Sequence, residues 1–196
     1  KMLADIIAVF SEKHQEVFYD KKGKRVASNN SVMVQMPTGT GKTVVMAAVV
    51  QWFLTHHEED VWIVAHRREL VEQAEHTVAR FLENFRMQKM ANRVKVLSIQ
   101  WLGRHIKKLE SEGRLPYAGG ELTNRVGLLV VDEAHHAVAD SYQNIFEMHR
   151  SAFKLGMTAT PCRMKKQSFT NLFERLLPSP PTRTFIDQGY LAPYEY

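Results

Sequence analysis

Residues 131–136 read Val-Asp-Glu-Ala-His-His, with Asp132 and Glu133 at the end of the apolar run "GLLVV" and His135 and His136 directly after. Four titratable groups at a strand end admit three chemistries: zinc ligation, an acid/base pair, or a magnesium-nucleotide site. A second cluster decides between them. "MPTGTGKT" at 36–43 follows another apolar run and leads into "VVMAAVVQWFL", giving the strand, glycine-rich turn and helix that a phosphate loop requires. Gly39 and Gly41 let the backbone curl so that N–H groups point inward. The start of the next helix adds partial positive charge. Lys42 supplies a full charge for the terminal phosphates, and the Thr43 hydroxyl is an oxygen ligand of the kind Mg²⁺ prefers. Asp132 then reads as the residue that holds Mg²⁺ through water, and Glu133 as the base that takes a proton from the attacking water. Zinc needs about four ligands, and the chain has neither a cysteine pair nor a His-x₃₋₅-His spacing. An acid/base pair alone would leave the phosphate loop unexplained. One departure from the general loop pattern is Met36, where a glycine usually begins it.

These residues need elements to hold them. Leu3, Ile6, Ile7 and Phe10 have helical spacing, as do Leu70, Val71, Ala74, Val78, Phe81, Leu82 and Phe85. Between such segments lie nearly unbroken apolar runs: "SVMVQM", "VWIVA", "VKVLSI" and "GLLVV", then the weaker "FKLGMT". Runs without polar alternation predict strands buried on both faces. Strands alternating with helices predict βαβ crossovers and a parallel sheet, hence an α/β fold. "DKKGKRVASNN" and "SEGRLPYAGGELTNR" read as loops, "LPSPPT" as a Pro-rich turn, and "DQGYLAPYEY" as a terminal edge segment. Trp52, Trp62 and Trp101 sit in apolar elements and are expected in the core.

Composition sets bounds on these readings. The 196 residues suffice for one domain, and nothing marks an internal boundary. A net charge of +5, from 26 basic and 21 acidic residues, is compatible with a polyanionic partner without demanding one. The single cysteine, Cys162, cannot form an internal disulfide, which fits a reducing, cytoplasmic setting. No apolar run reaches the roughly 20 residues of a membrane span. The chain opens on Lys1 and reads as a piece of a longer protein.

"MPTGTGKT", "DEAH" and "GMTATP" stand in the order and spacing of superfamily 2 helicases and translocases, and the chain resembles their first RecA-like domain. The resemblance runs from the first strand to "GYLAP" and implies a three-layer RecA-like fold of the phosphate-loop NTPases, with a mostly parallel central sheet flanked by helices. It implies that residues 1–196 form the helicase ATP-binding domain, with the second RecA-like domain lying outside this chain. ATP and Mg²⁺ are the implied cofactors. Pro37, Thr38, Gly39, Thr40, Gly41, Lys42 and Thr43 are the implied nucleotide-binding residues, Thr43 and Asp132 the metal residues, and Lys42, Asp132 and Glu133 the catalytic ones. The Met36 start is tolerated in this family. "LGMTATPCR" is similar to the restriction-type and repair-type DNA translocases rather than to RNA-specific helicases.

"VAHRREL" resembles the family's motif Ia, and "LSIQWL" its next nucleic-acid-contacting motif. Arg67, Arg68, Ser98 and Gln100 are therefore the implied nucleic-acid contacts, although Arg67 and Arg68 read equally as a solvated helix start and Gln100 as an ordinary cap. Thr158 and Thr160 can hydrogen-bond the acidic pair, and in the family this motif couples nucleotide state to strand movement. His135 joins that network by implication, while His136 reads as structural or exposed. Lys21, Lys22, Lys24 and Arg25 read as a solvated loop. Arg163, Lys165 and Lys166 are open to an inter-domain or nucleic-acid role. The family reads adenine with a glutamine before the first helix; Gln15 does not match that place. The expected partners are DNA and the second RecA-like domain, with no membrane.

Two other classes compete. A nucleotide kinase would need a second substrate site, and a switch GTPase a guanine-reading Asn-Lys-x-Asp; neither is evident. A non-catalytic binding module would have no use for Lys42, Thr43, Asp132 and Glu133 together.

Overall fold

The computed structural model describes residues 1–12, 30–66, 68–113, 125–134, 140–149, 151–160 and 173–192. Six strands form one sheet: β1 (Ser31–Gln35), β2 (Asp60–Ala65), β3 (Val94–Ser98), β4 (Val126–Asp132), β5 (Phe153–Thr158) and β6 (Arg175–Pro178). The order is β3-β2-β4-β5-β1-β6, and every pair is parallel. The expected α/β sheet is therefore wholly parallel among the described residues. Parallel neighbours cannot be joined by tight hairpins, so helices carry the chain back across the sheet faces.

Alternation along each strand decides which face each side chain meets. Val32, Val34, Val61, Ile63, Leu128, Val130, Leu155 and Met157 share one core layer with residues of α1 (Met2–Ser11), α2 (Lys42–His56) and α3 (Arg68–Asn84). Met33, Trp62, Val64, Leu129 and Val131 form the other layer with α4 (Ile99–Ser111) and α5 (Asp140–Met148). Helix α2 buries Met46, Ala47, Val49, Val50, Phe53 and Leu54, at about 1.5–3 kcal/mol for each large side chain. Its C-terminal end is pinned from a distance. Arg93, in a short 3-10 helix, donates to the carbonyls of His57 at 2.6 Å and Glu59 at 2.7 Å.

The structure corrects three expectations. Strand β3 is half-buried throughout, because it is a sheet edge with one neighbour. The Pro-rich stretch is preceded by an unanticipated strand, β6, which forms the opposite edge and ends at Pro178, where a missing N–H is tolerated. After it comes a short helix, α6 (Thr182–Asp187), and residues 188–192 turn rather than form the edge expected of "DQGYLAPYEY". Among the described residues, no helix is long and apolar enough to cross a membrane.

Candidate functional site

The phosphate loop joins β1 to α2. Met36 continues out of β1 and donates its N–H to the Thr158 carbonyl at 2.9 Å, so the loop leaves the sheet tied to β5. The Pro37 carbonyl then accepts the Thr40 hydroxyl at 2.7 Å, closing a turn. Gly39 and Gly41 have φ of 79° and 88°, left-handed values that side chains rarely adopt. Gly41 precedes α2, and its carbonyl accepts the first helical bond from Val45. The N–H groups of the first helical turn have no partner within the helix and face outward at its positive end. Gly39 has a second constraint that motif reading missed. A Cβ there would lie 3.1 Å from Leu191 Cδ2, so the segment after α6 packs against the loop.

Strand order completes the site. β5 lies between β1 and β4, with Gln35 beside Thr158 and Asp132 beside Met157. The phosphate loop, the Thr motif and the acidic pair thus come from three adjacent strand ends, on the carboxyl side where open α/β sheets bind ligands. Asp132 Oδ1 accepts the Glu133 N–H at 2.9 Å, and Glu133 takes a left-handed φ of 50°. Such backbone costs on the order of 1 kcal/mol or more for a residue with a side chain. It accompanies a long-range contact: the Glu133 carboxylate lies 3.6 Å from Lys42 Nζ. Glu133 and Lys42, ninety-one positions apart in sequence, form an ion pair across β5. The Thr158 hydroxyl donates to the Thr160 carbonyl at 2.9 Å and accepts the Thr160 N–H at 3.1 Å, fixing the turn that follows β5.

The donor set fits the implied cofactors. Mg²⁺ takes hard oxygen ligands, and Thr43 at the start of α2 and Asp132 at the end of β4 supply a hydroxyl and a carboxylate on the same carboxyl side of the sheet. A triphosphate needs convergent N–H groups and a cation, which the positive-φ loop and Lys42 provide. At Gly41 a Cβ would meet nothing within 4 Å, so the loop is open on that side.

The expected nucleic-acid residues lie at the other end of the same sheet edge. Ser98 ends β3 and caps α4, its Oγ accepting the Trp101 N–H at 3.3 Å. The Ser98 hydroxyl also donates to Gln100 Oε1 at 2.9 Å, and the Gln100 amide donates to the His66 carbonyl at 2.6 Å. Ser98 and Gln100 therefore lock the ends of β2 and β3 together. Arg68 opens α3, almost fully exposed, in a 3.2 Å pair with Glu72 one turn on. Trp101 corrects the core expectation: it is 38% exposed, whereas Trp62 is buried. Arg67, His135, His136, Cys162, Arg163, Lys165, Lys166, Gln15 and the basic run at 21–25 lie outside the described residues.

At the amino-terminal end of β5, away from the acidic turn, lies a buried polar layer the sequence reading passed over. Lys154, on β5, donates to the carbonyls of His149 and Ala152, both at 3.0 Å, and sits 5.6 Å from the Phe146 ring. Burial pulls it down to about 7, against the opposing pull of Glu174. His149 is lowered to about 4, by burial first and by Lys154 second, and its ring lies edge-on to Trp62. Burial, then the Asp132 charge, pushes the Tyr142 hydroxyl up. A lone Lys in an apolar strand run was the only sequence signal.

The comparisons with known proteins agree with this geometry. The sequence matches the family described as "Type III restriction enzyme, res subunit" over residues 7–163. It is 28% identical over 165 residues to a 51.5 kDa protein of Lactococcus phage (isolate 7-9), covering 84% of this chain and 32% of that one. It is 25% identical over 180 residues to the putative ATP-dependent helicase IRC3 of Saccharomyces cerevisiae, covering 81% of this chain and 24% of that one. The chain thus spans about a third or less of these relatives. Similar folds occur in the Hef helicase domain of Pyrococcus furiosus (TM-score 0.59, 24% identity, 80% of this chain and 37% of that one) and the UvsW helicase of bacteriophage T4 (TM-score 0.57, 16% identity, 90% and 67%).

Proposed function

The chain belongs to the family of type III restriction enzyme res subunits, and from that premise we propose that it is the ATP-binding half of a motor that couples Mg·ATP hydrolysis to movement on nucleic acid. The observation that carries the proposal is the 3.6 Å approach of Glu133 to Lys42 across β5. In this reading, Pro37, Thr38, Gly39, Thr40 and Gly41 shape the phosphate cradle, Lys42 holds the terminal phosphates, and Thr43 and Asp132 offer oxygens to Mg²⁺. A Mg²⁺ held by these oxygens would neutralise charge on the transferring phosphate. Glu133 orients the attacking water and accepts its proton, and Lys42 exchanges Glu133 for phosphate oxygens when nucleotide enters. Thr158, which ends the strand tied to the loop through Met36, and Thr160 in the turn after it couple nucleotide state, together with His135, to the nucleic-acid face. The restriction-type "GMTATP" favours DNA over RNA. A second RecA-like domain completes the motor with an arginine finger, worth about 10³–10⁵ in rate among phosphate-loop enzymes. One cysteine fits a cytoplasmic setting.

Two substitutions test the assignment. Lys42→Ala removes the one full positive charge of the cradle and is expected to weaken Mg·ATP binding roughly a hundred-fold in calorimetric titration, since a charged hydrogen-bond donor is worth up to about 3 kcal/mol. Affinity equal to the parent's would sink the phosphate-loop reading. Glu133→Gln keeps the shape but cannot accept the proton. It is expected to hold nucleotide as tightly as the parent, or up to about five-fold tighter because Lys42 loses its carboxylate partner. Hydrolysis, measured with the second RecA-like domain present, falls to background. Unchanged turnover would remove Glu133 from the role of base.

A further inference from the structure

Helix α4 buries Ile99, Leu102 and Ile106, yet its first turn also carries an exposed tryptophan. The Trp101 ring lies on the imidazole of His105, one turn on, with centroids 4.9 Å apart and planes within 13°. The ring is thus held flat from below while the whole residue keeps 38% of its surface in water. Its backbone N–H is held by the Ser98 hydroxyl, and its neighbour Gln100 reaches the His66 carbonyl, so the ring projects from the seam that joins the ends of β2 and β3. Arg104, Lys107 and Lys108 are exposed along the same helix, with Lys108 also pairing with Glu112. Exposed cationic side chains on the helix that carries an exposed aromatic ring favour a polyanion that carries flat apolar faces. A protein partner would have to desolvate those charges.

We infer that Trp101, supported by His105, is a base-stacking platform for an unpaired nucleotide of the bound strand. The inference rests on the nucleic-acid reading above and adds a base contact to a face otherwise made of phosphate contacts. Inside a duplex each base already has a base on either side, so only an unpaired nucleotide offers a free face to the indole. Stacking is tolerant of sequence, because every base has a π-face. The platform therefore confers a preference for single strands and none for sequence.

Fluorescence anisotropy with labelled oligothymidylate and an abasic oligonucleotide of equal length tests this on the chain, Trp101→Ala and Trp101→Phe. The parent is expected to bind oligothymidylate about five-fold or more tightly than the abasic strand, the lower end of one base–aromatic stack. Trp101→Ala should bind both strands as the parent binds the abasic one, with an unchanged salt slope. Trp101→Phe should keep most of the base preference, which also shows that loss in the alanine variant is not misfolding. Retention of the preference in Trp101→Ala overturns the platform, as does its absence from the parent. Failure of the parent to bind either strand overturns the nucleic-acid reading and the platform with it.

Discussion

The proposed nucleotide end and the proposed nucleic-acid end share one edge of one sheet, but they are built on different physics. At the nucleotide end, groups from β1, β4 and β5 are packed against one another. Lys42 and Glu133 meet with side chains only 14% and 29% exposed, and Thr158 is buried. At the other end, Arg68 stands almost entirely in water, paired with Glu72. Phosphoryl transfer needs donors held in fixed positions, which packing provides. Holding a sliding polyanion needs charge that can follow it, which solvated side chains provide at little cost to the fold. Disturbing the packed end should therefore cost stability and chemistry together, while disturbing the exposed end should cost binding alone.

The sharpest way to break that contrast is Gly156→Ala. A Cβ on Gly156 would stand 2.6 Å from Phe173 Cζ and 2.9 Å from the Cβ of Ala134, the residue after Glu133. Overpacking of this kind costs typically about 1–3 kcal/mol. Urea unfolding should show that loss, and calorimetry a weakened Mg·ATP affinity, while oligonucleotide affinity in folded protein holds. Parent-like stability together with parent-like nucleotide binding would mean that the acidic turn is not locked by β5.

A second effect, confined to acid pH, comes from the polar layer at the amino-terminal end of β5. His149 stays neutral in the fold down to about pH 4, whereas the unfolded chain takes up that proton near 6.5. Between those values the unfolded state binds more protons, so acid lowers stability, with a slope approaching about 1.4 kcal/mol per pH unit from this residue. His149→Phe should flatten the profile between pH 6.5 and 4 in denaturant titrations. If the variant and the parent lose stability in parallel, the burial of this imidazole is not what the acid limb reports.

The smallest expected effect on the fold is Arg68→Ala. Its pair with Glu72 is solvent-exposed, so stability should change by less than about 0.5 kcal/mol. Oligonucleotide binding should nevertheless weaken, and the salt slope should fall by about one if Arg68 neutralises a phosphate. A slope equal to the parent's would make Arg68 the solvated helix start that its exposure also allows.

What the sequence determined by itself is the chemistry at each strand end. Gly39, Gly41, Lys42 and Thr43 are close in sequence, and their spacing between an apolar strand and a helix marks them as a candidate phosphate cradle before any fold is known. Asp132 and Glu133 are adjacent, and the unbroken apolar run before them requires a buried strand. The same local patterns placed β1, β2, β4 and β5, because hydrophobic periodicity is a short-range property. Tertiary structure decided who meets whom. Strand order is set by crossovers, so only the fold puts β5 between β1 and β4 and brings Glu133 to Lys42. The approaches of Leu191 to Gly39 and of Phe173 to Gly156 likewise depend on residues far away in sequence. Trp101 shows the limit most plainly. Its type suggests a core residue, but Ile99, Leu102 and Ile106 take the buried face of α4, and the helical repeat turns the indole into solvent.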